Sequence, residues 1–315
     1  MIFLATLKMV LLAGLGVYFY RRGLIEAKTL EFLNVYVVDW AVPCLIFSRI
    51  LDNRGLIFAN PPAVFIFLSL VLFFLGYLLA MLGCRKSRCN QRSEFLLLVS
   101  VQNSGYLPMN LAAFLFPPDL REKFLVFIIL YLLGYNLLLW SLSGLFFFRK
   151  NGERFRYKEL FTPALIATIV GLGLVYSGLS GSVPSLVQDP VRLVGDTSFV
   201  FSMLVLGCWL AKIPAPALGL RANAKVLGWI SFLKLVVLPL MVFLVLFLTR
   251  EYSLLGFFIL MQSAMPSAAS LPIVANMHSG NSEFVSQGVL VTHILSMVTL
   301  TFWLALYSQV SGFKF

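Results

Sequence analysis

Asn103-Ser104-Gly105-Tyr106-Leu107-Pro108 and Met265-Pro266-Ser267-Ala268-Ala269-Ser270-Leu271-Pro272 are the two stretches that decide the fold of this chain. Each interrupts a long apolar run near its centre, at matching places in the two halves of the sequence. In hydrocarbon an unpaired backbone N–H or C=O costs several kcal/mol, so a spanning helix stays unbroken unless its gap lines a cavity. A single proline in one span reads as a kink, and Pro43 is of that kind. Two breaks that combine proline with Asn, Ser and Gly, one in each half, read instead as a solute site near the bilayer midplane.

The surrounding composition fits a membrane. Of 315 residues, 60% are hydrophobic and only 12% are charged. At about 20 apolar residues per span, the chain holds about ten helices. We number them spans 1 to 10: Ile2–Tyr20, Thr29–Ile50, Pro62–Gly83, Phe95–Phe116, Phe124–Phe148, Leu160–Tyr176, Val191–Ala211, Val226–Leu248, Leu254–Met277 and Phe284–Leu306. The expected fold is an all-α membrane protein of two inverted five-helix repeats, residues 1–150 and 151–315, with spans 4 and 9 broken. An odd number of spans per half makes the halves enter the membrane in opposite senses. An offset of about 160 residues carries span 3 onto span 8, one break onto the other, and Asp39 close to Asp196.

The net charge of +11 invites a nucleic-acid partner, but its distribution argues against one. Lys and Arg gather in alternate loops: Arg21, Arg22 and Lys28; Arg85, Lys86, Arg88 and Arg92; Arg149, Lys150, Arg154, Arg156 and Lys158; Lys212, Arg221 and Lys225. The positive-inside rule makes those loops cytoplasmic. Both termini are then extracytoplasmic, and the basic excess serves topology first and contact with anionic membrane lipid second. No basic segment precedes the first apolar run, which reads as an uncleaved span rather than a signal peptide. Cys44 and Cys208 fall within spans as small packing residues. Cys84 and Cys89 flank a cytoplasmic, reducing loop, which argues against a disulfide. No metal-ligand cluster or phosphate loop appears, and no cofactor is expected.

Half-helix N-termini at the breaks would favour an anion. Freed carbonyls would suit a cation or a hydroxyl. Ser104, Ser267 and Ser270 can reach back to unpaired backbone groups, and Gly105 lets the chain turn. Asn103 and Asn276 are candidate hydrogen-bonding groups for the solute. Gly105, Pro108, Pro266 and Pro272 maintain the breaks, with Asn110 and Met265 beside them. Ionisable residues inside spans are weighed one by one. Asp39 reads as a proton-coupling carboxylate tuned by burial, or as a paired or water-facing charge. His293 is a titrating group or an interfacial packing residue. Lys234 meets an anionic solute, pairs with a carboxylate, or snorkels as Lys8 does. Arg49 and Asp196 lie toward span ends, at the interface.

At this point the residues resemble the auxin efflux carrier family, a branch of the bile-acid and sodium-proton antiporter-like transporters. The likeness rests on Asn103-Ser104-Gly105-Tyr106 with Pro108, and on Ala264-Met265-Pro266 continuing to Leu271-Pro272-Ile273-Val274-Ala275. The tail Gly288-Val289-Leu290-Val291-Thr292-His293-Ile294-Leu295-Ser296 and the segment Val42-Pro43-Cys44-Leu45-Ile46-Phe47 add to it. The resemblance implies spans 1, 2, 6 and 7 as a scaffold, and spans 3–5 and 8–10 as a moving body. It implies elevator-like transport of a small organic anion such as a carboxylate, with proton or sodium coupling open, and a homodimer through the scaffold. The short connection between halves is similar to the bacterial branch, hence an inner (plasma) membrane. Asn110 stands where relatives often carry a second proline, and His293 where a small or hydroxyl residue is common.

Three rival classes were weighed. A channel or facilitator would show a pore ring or repeated filter. An intramembrane enzyme would need a nucleophile with a base, or a metal. With only His278 and His293, no His-Glu-x-x-His occurs, and Asp39 with Asp196 is a poor aspartyl dyad. A seven-span receptor has too few helices.

Overall fold

The computed structural model describes residues 1–87, 91–147, 161–212 and 220–313. Cys89, Arg88 and the basic connection from Arg149 to Lys158 lie outside the described residues. The described chain is helical: α1 Ile2–Arg21, α2 Ala27–Val35, α3 Val42–Asp52, α4 Arg54–Ala59, α5 Pro62–Ser87, α6 Arg92–Ser100, α7 Tyr106–Leu115 and α8 Pro118–Phe147. There follow α9 Pro163–Tyr176, α10 Ser185–Lys212, α11 Leu220–Phe232, α12 Leu238–Thr249, α13 Leu254–Ala264, α14 Leu271–Met277 and α15 Ser282–Ser311. Among the described residues, 7 helices are long and apolar enough to cross a membrane. Span 4 divides into α6 and α7, and span 9 into α13 and α14, so neither yields one long helix. Span 6 appears as α9, whose hydroxyl cap at Thr162 accepts from Leu165 N–H (3.2 Å).

Two continuous spans widen into π turns just ahead of a proline. Pro43 leaves the Asp39 carbonyl without its usual i+4 donor, and Pro239 does the same for Leu235. The backbone responds with i+5 bonds, Val42 N–H to Val37 O and Leu238 N–H to Leu233 O. The Leu235 carbonyl freed by Pro239 accepts from the Trp303 indole N–H at 2.8 Å. At the first π turn the chain rotates Val38, Asp39 and Trp40 outward, and all three are exposed. This corrects one expectation: Asp39 lacks the burial that was to tune it.

A second correction concerns α10. Pro190 suggested a helix start at Val191, yet α10 begins at Ser185 and runs through the proline. Asp196 therefore sits well inside the helix and not at its start.

The helices pack in two groups. α1 lies along α10, and α3 packs on α9 and α10. Separately, α5 packs on α6 and α8, while α15 packs on α11, α13 and α14. The first group is drawn tight by small residues. A Cβ on Gly207 would meet Ala13 O at 1.9 Å, and one on Gly16 would meet Leu204 O at 2.2 Å. Beside them Cys208 Sγ donates to Gly16 O at 3.2 Å. Close backbone approach of this kind supplies packing energy where lipid offers no hydrophobic drive. Gly207→Leu should therefore separate α1 from α10 and lower the melting temperature of the detergent-solubilised protein by several degrees, because the obstacle is backbone and cannot swing aside. A melting temperature equal to wild type would contradict the packing argument.

Candidate functional site

The two breaks meet. α6 stops at Ser100 and the chain turns extended at Val101 (φ −103°, ψ 116°). α13 stops at Ala264, and Met265, which precedes Pro266, is extended too (φ −68°, ψ 144°). Gln102 and Ser267 form an antiparallel bridge. Asn103 N–H donates to Pro266 O at 2.7 Å and Ala268 N–H to Val101 O at 3.2 Å. Each broken helix thus satisfies the other's main chain. The prolines fall where no helical N–H is required: Pro108 in the first turn of α7 and Pro272 in the first turn of α14.

Side chains complete the seal. Ser267 Oγ donates to Leu98 O (2.6 Å), and its N–H donates to Thr292 Oγ1 (3.3 Å). Gln102 Nε2 donates to Tyr131 OH (2.6 Å), while Tyr135 OH donates to Gln102 O (2.7 Å). Gln262 Nε2 donates to Ser104 O at 3.4 Å. Lys234, fully buried, donates from Nζ to Val99 O at 2.9 Å. That carbonyl belongs to the last turn of α6, the negative end of a half-helix, where a cation is favoured. No described carboxylate pairs with Lys234, and it does not snorkel.

Asn103 is buried, with its side-chain Nδ2 at 3.4 Å from His293 Nε2. His293 Nδ1 lies 2.8 Å from Val289 O, which can only accept. The ring therefore carries a proton on Nδ1, and in its neutral form Nε2 accepts from Asn103. His293 also lines a narrow cleft between the two helix groups. Thr6 and Met9 of α1, Met203 of α10, Leu107 of α7 and Ser296 of α15 stand in its wall. The wall is mostly apolar, with His293, Ser296 and Thr6 as its polar points.

Two buried amide oxygens around the breaks have no partner among the described residues: Asn110 Oδ1 and Gln262 Oε1. Asn110 uses its amide nitrogen on Tyr106 O (2.9 Å) and on Ser202 Oγ of α10 (3.0 Å). Unspent acceptors in a buried polar cluster mark a place where a ligand can bind.

The structure brings Asn103, Ser104, Met265, Pro266 and Ser267 together at the bridge, with Gly105 capping α7 and Ser270 capping α14. Pro108 and Asn110 follow in α7. Asn276 is apart, exposed in the last turn of α14. Asp39 makes no bond in the bridge and is exposed, but it lies close enough to Tyr106 at the start of α7 to act on it electrostatically. Sequence reading passed over Gln102, Gln262, Thr292 and Tyr131. A signal existed for two of them: the same offset of about 160 residues carries Gln102 onto Gln262. A family model described as membrane transport protein matches residues 1–159 and 147–304. The chain belongs to that family, the auxin efflux carriers. A search of curated proteins returned no match. As a family member it is an integral membrane transport protein.

Proposed function

We propose that this chain is a secondary transporter that moves a small organic anion, such as a carboxylate, by alternating access. α1–α3, α9 and α10 form the scaffold. α5–α8 and α11–α15 form the body that carries the solute in an elevator-type movement. The ten-span, inverted-repeat reading, with spans 4 and 9 crossing at their breaks, goes with this proposal. So do a homodimer through the scaffold, a bacterial inner membrane and extracytoplasmic termini. One observation carries it: the two broken helices satisfy each other's backbone beside a cleft between two helix groups. A gap sealed this way costs the bilayer little and leaves side chains free to bind.

In this reading the anionic group lies near Asn103, within reach of the α7 N-terminus, and the rest of the solute extends into the apolar cleft. Coupling is assigned to the buried Lys234 and His293, with Asp39, near Tyr106, as a further candidate. The experiment is uptake into proteoliposomes. Small carboxylates that raise the melting temperature of the purified protein should show saturable uptake driven by an imposed gradient. Ohmic conductance would favour a channel, and turnover of the solute would favour an enzyme; either result defeats the carrier reading.

A further inference from the structure

Arg49 sits where the two helix groups meet, at the end of the bundle that loop charges assign to the outer face. Its Nη2 donates to Asp196 Oδ1 (2.5 Å) on α10, inside its own group. Its Nη1 lies 3.2 Å from Glu122 Oε1 on α8, in the other group. Asn53 Nδ2 adds a bond to Glu122 Oε2 at 3.3 Å while also donating to Arg49 O at 2.9 Å. The Arg49 side chain is 13% exposed and that of Glu122 23%. Arg49 Nε is buried without a partner among the described residues. The guanidinium thus holds carboxylates on both groups through its two terminal nitrogens.

A neighbouring ion pair makes the contrast. Arg192 grips Asp52 with two bonds, Nε to Oδ2 (3.0 Å) and Nη2 to Oδ1 (2.5 Å). Both residues belong to the first helix group, so this pair survives any movement between groups. The Arg49–Glu122 pair does not. Yet each of its members keeps a counter-ion when the groups part: Arg49 keeps Asp196, and Glu122 keeps Arg121, whose Nε is 3.7 Å away. Breaking a buried pair is costly when it leaves a bare charge behind. With a counter-ion retained on each side, neither Arg49 nor Glu122 is left bare when the groups part.

We infer that Arg49, Asn53 and Glu122 form a reversible latch that holds the two helix groups together at the outer face, and that the latch must open for them to move. The inference rests on the moving-body reading above. It is tested without any solute, by distances between spin labels. Leu186 on α10 and Phe67 on α5 are 84% and 63% exposed, one in each group. Both are changed to Cys in a background lacking the four native cysteines. With the latch intact, one distance should dominate. Glu122→Gln keeps the shape and removes the charge, and should raise a second distance above about 10% of molecules, the upper range of a minor state. Arg192→Gln, which breaks only the pair within one group, should leave the distribution as it was. Asn53→Ala, which removes the other bond to Glu122, should raise the same second distance. An unchanged distribution in both Glu122→Gln and Asn53→Ala, or an equal shift in Arg192→Gln, overturns the latch. A latch that behaves as stated in a protein that moves no solute would defeat the transport reading and leave the latch standing.

Discussion

Asn103→Ala should lower the initial rate of solute uptake by about 100-fold while the protein still inserts and keeps its helix content. The main chain explains why the fold survives. The bond that pairs the breaks comes from Asn103 N–H to Pro266 O, and alanine retains that N–H. What disappears is the side-chain amide, which faces His293 beside the cleft. A hydrogen bond to a charged group is worth about 1.5–3 kcal/mol, and the upper part of that range corresponds to about 100-fold. The His293 Nε2 left without its donor adds to the loss. Asn103→Asp sharpens the test, because it keeps the shape and places a carboxylate against the proposed anion. It should be at least as damaging as alanine. Uptake and circular dichroism, measured on the same preparations, read the outcome. Wild-type uptake in Asn103→Ala removes the residue from the site; better function in Asn103→Asp would mean that the solute is a cation.

The residues of the site differ in how far the sequence disclosed them. Pro108, Gly105, Pro266 and Pro272 announce themselves, since proline and glycine act on local backbone and their effect does not depend on what packs nearby. The same local logic placed some span starts closely, such as Ile2 for α1, Pro62 for α5 and Leu254 for α13, but read span 5 from Phe124 and span 8 from Val226 where the helices start at Pro118 and Leu220. It also missed the start of α10, read from Val191, which begins at Ser185 and runs through Pro190 near its N-terminal end. Partners were illegible for another reason. Ser267 is sealed by Thr292 and Leu98, which lie 25 and 169 residues away. No periodicity encodes such a distance. Asp39 shows the limit from the opposite side. Its position in the middle of an apolar span suggested burial, but the π turn ahead of Pro43 changes the helical phase and turns it outward. The latch residue Arg49 looked like an ordinary interfacial charge until Asp196 and Glu122 were seen on either side of it.

The Gln102–Ser267 bridge and the Arg49 latch make different demands on the same protein. The bridge lies within the group formed by α5–α8 and α11–α15, so it can stay intact while that group moves. α1 packs on α7 and α15 and α10 on α7, and polar bonds across the groups include Asn110 to Ser202, Thr301 Oγ1 to Thr6 Oγ1 (3.2 Å), Arg49 to Glu122 and Asn53 to Glu122. Each of these groups has another partner on its own side: Asn110 on Tyr106 O, Thr301 on Met297 O, and Thr6 on Ile2 O. An interface built this way can break without stranding buried polar groups, which is what repeated movement between two positions requires.

Lys234→Met should abolish most uptake, by about tenfold or more, without lowering thermal stability. The magnitudes point that way. Methionine fills nearly the same space and leaves Val99 O without its donor, a loss of about 1–3 kcal/mol. Against this, an ammonium taken out of water pays an effective penalty of several kcal/mol, and its one bond is to a neutral carbonyl. Removing the charge therefore leaves the fold neutral or more stable. Under the transport proposal, the charge at the junction of two half-helices acts on the solute or on a coupled ion. Lys234→Arg should also fail, because a larger planar fork does not fit a fully buried site shaped for a single point charge. Melting temperature and uptake separate the two roles. A Met variant that melts several degrees lower yet transports normally would make Lys234 a peg for the end of α6; one that is stable and inactive places its charge in the transport cycle.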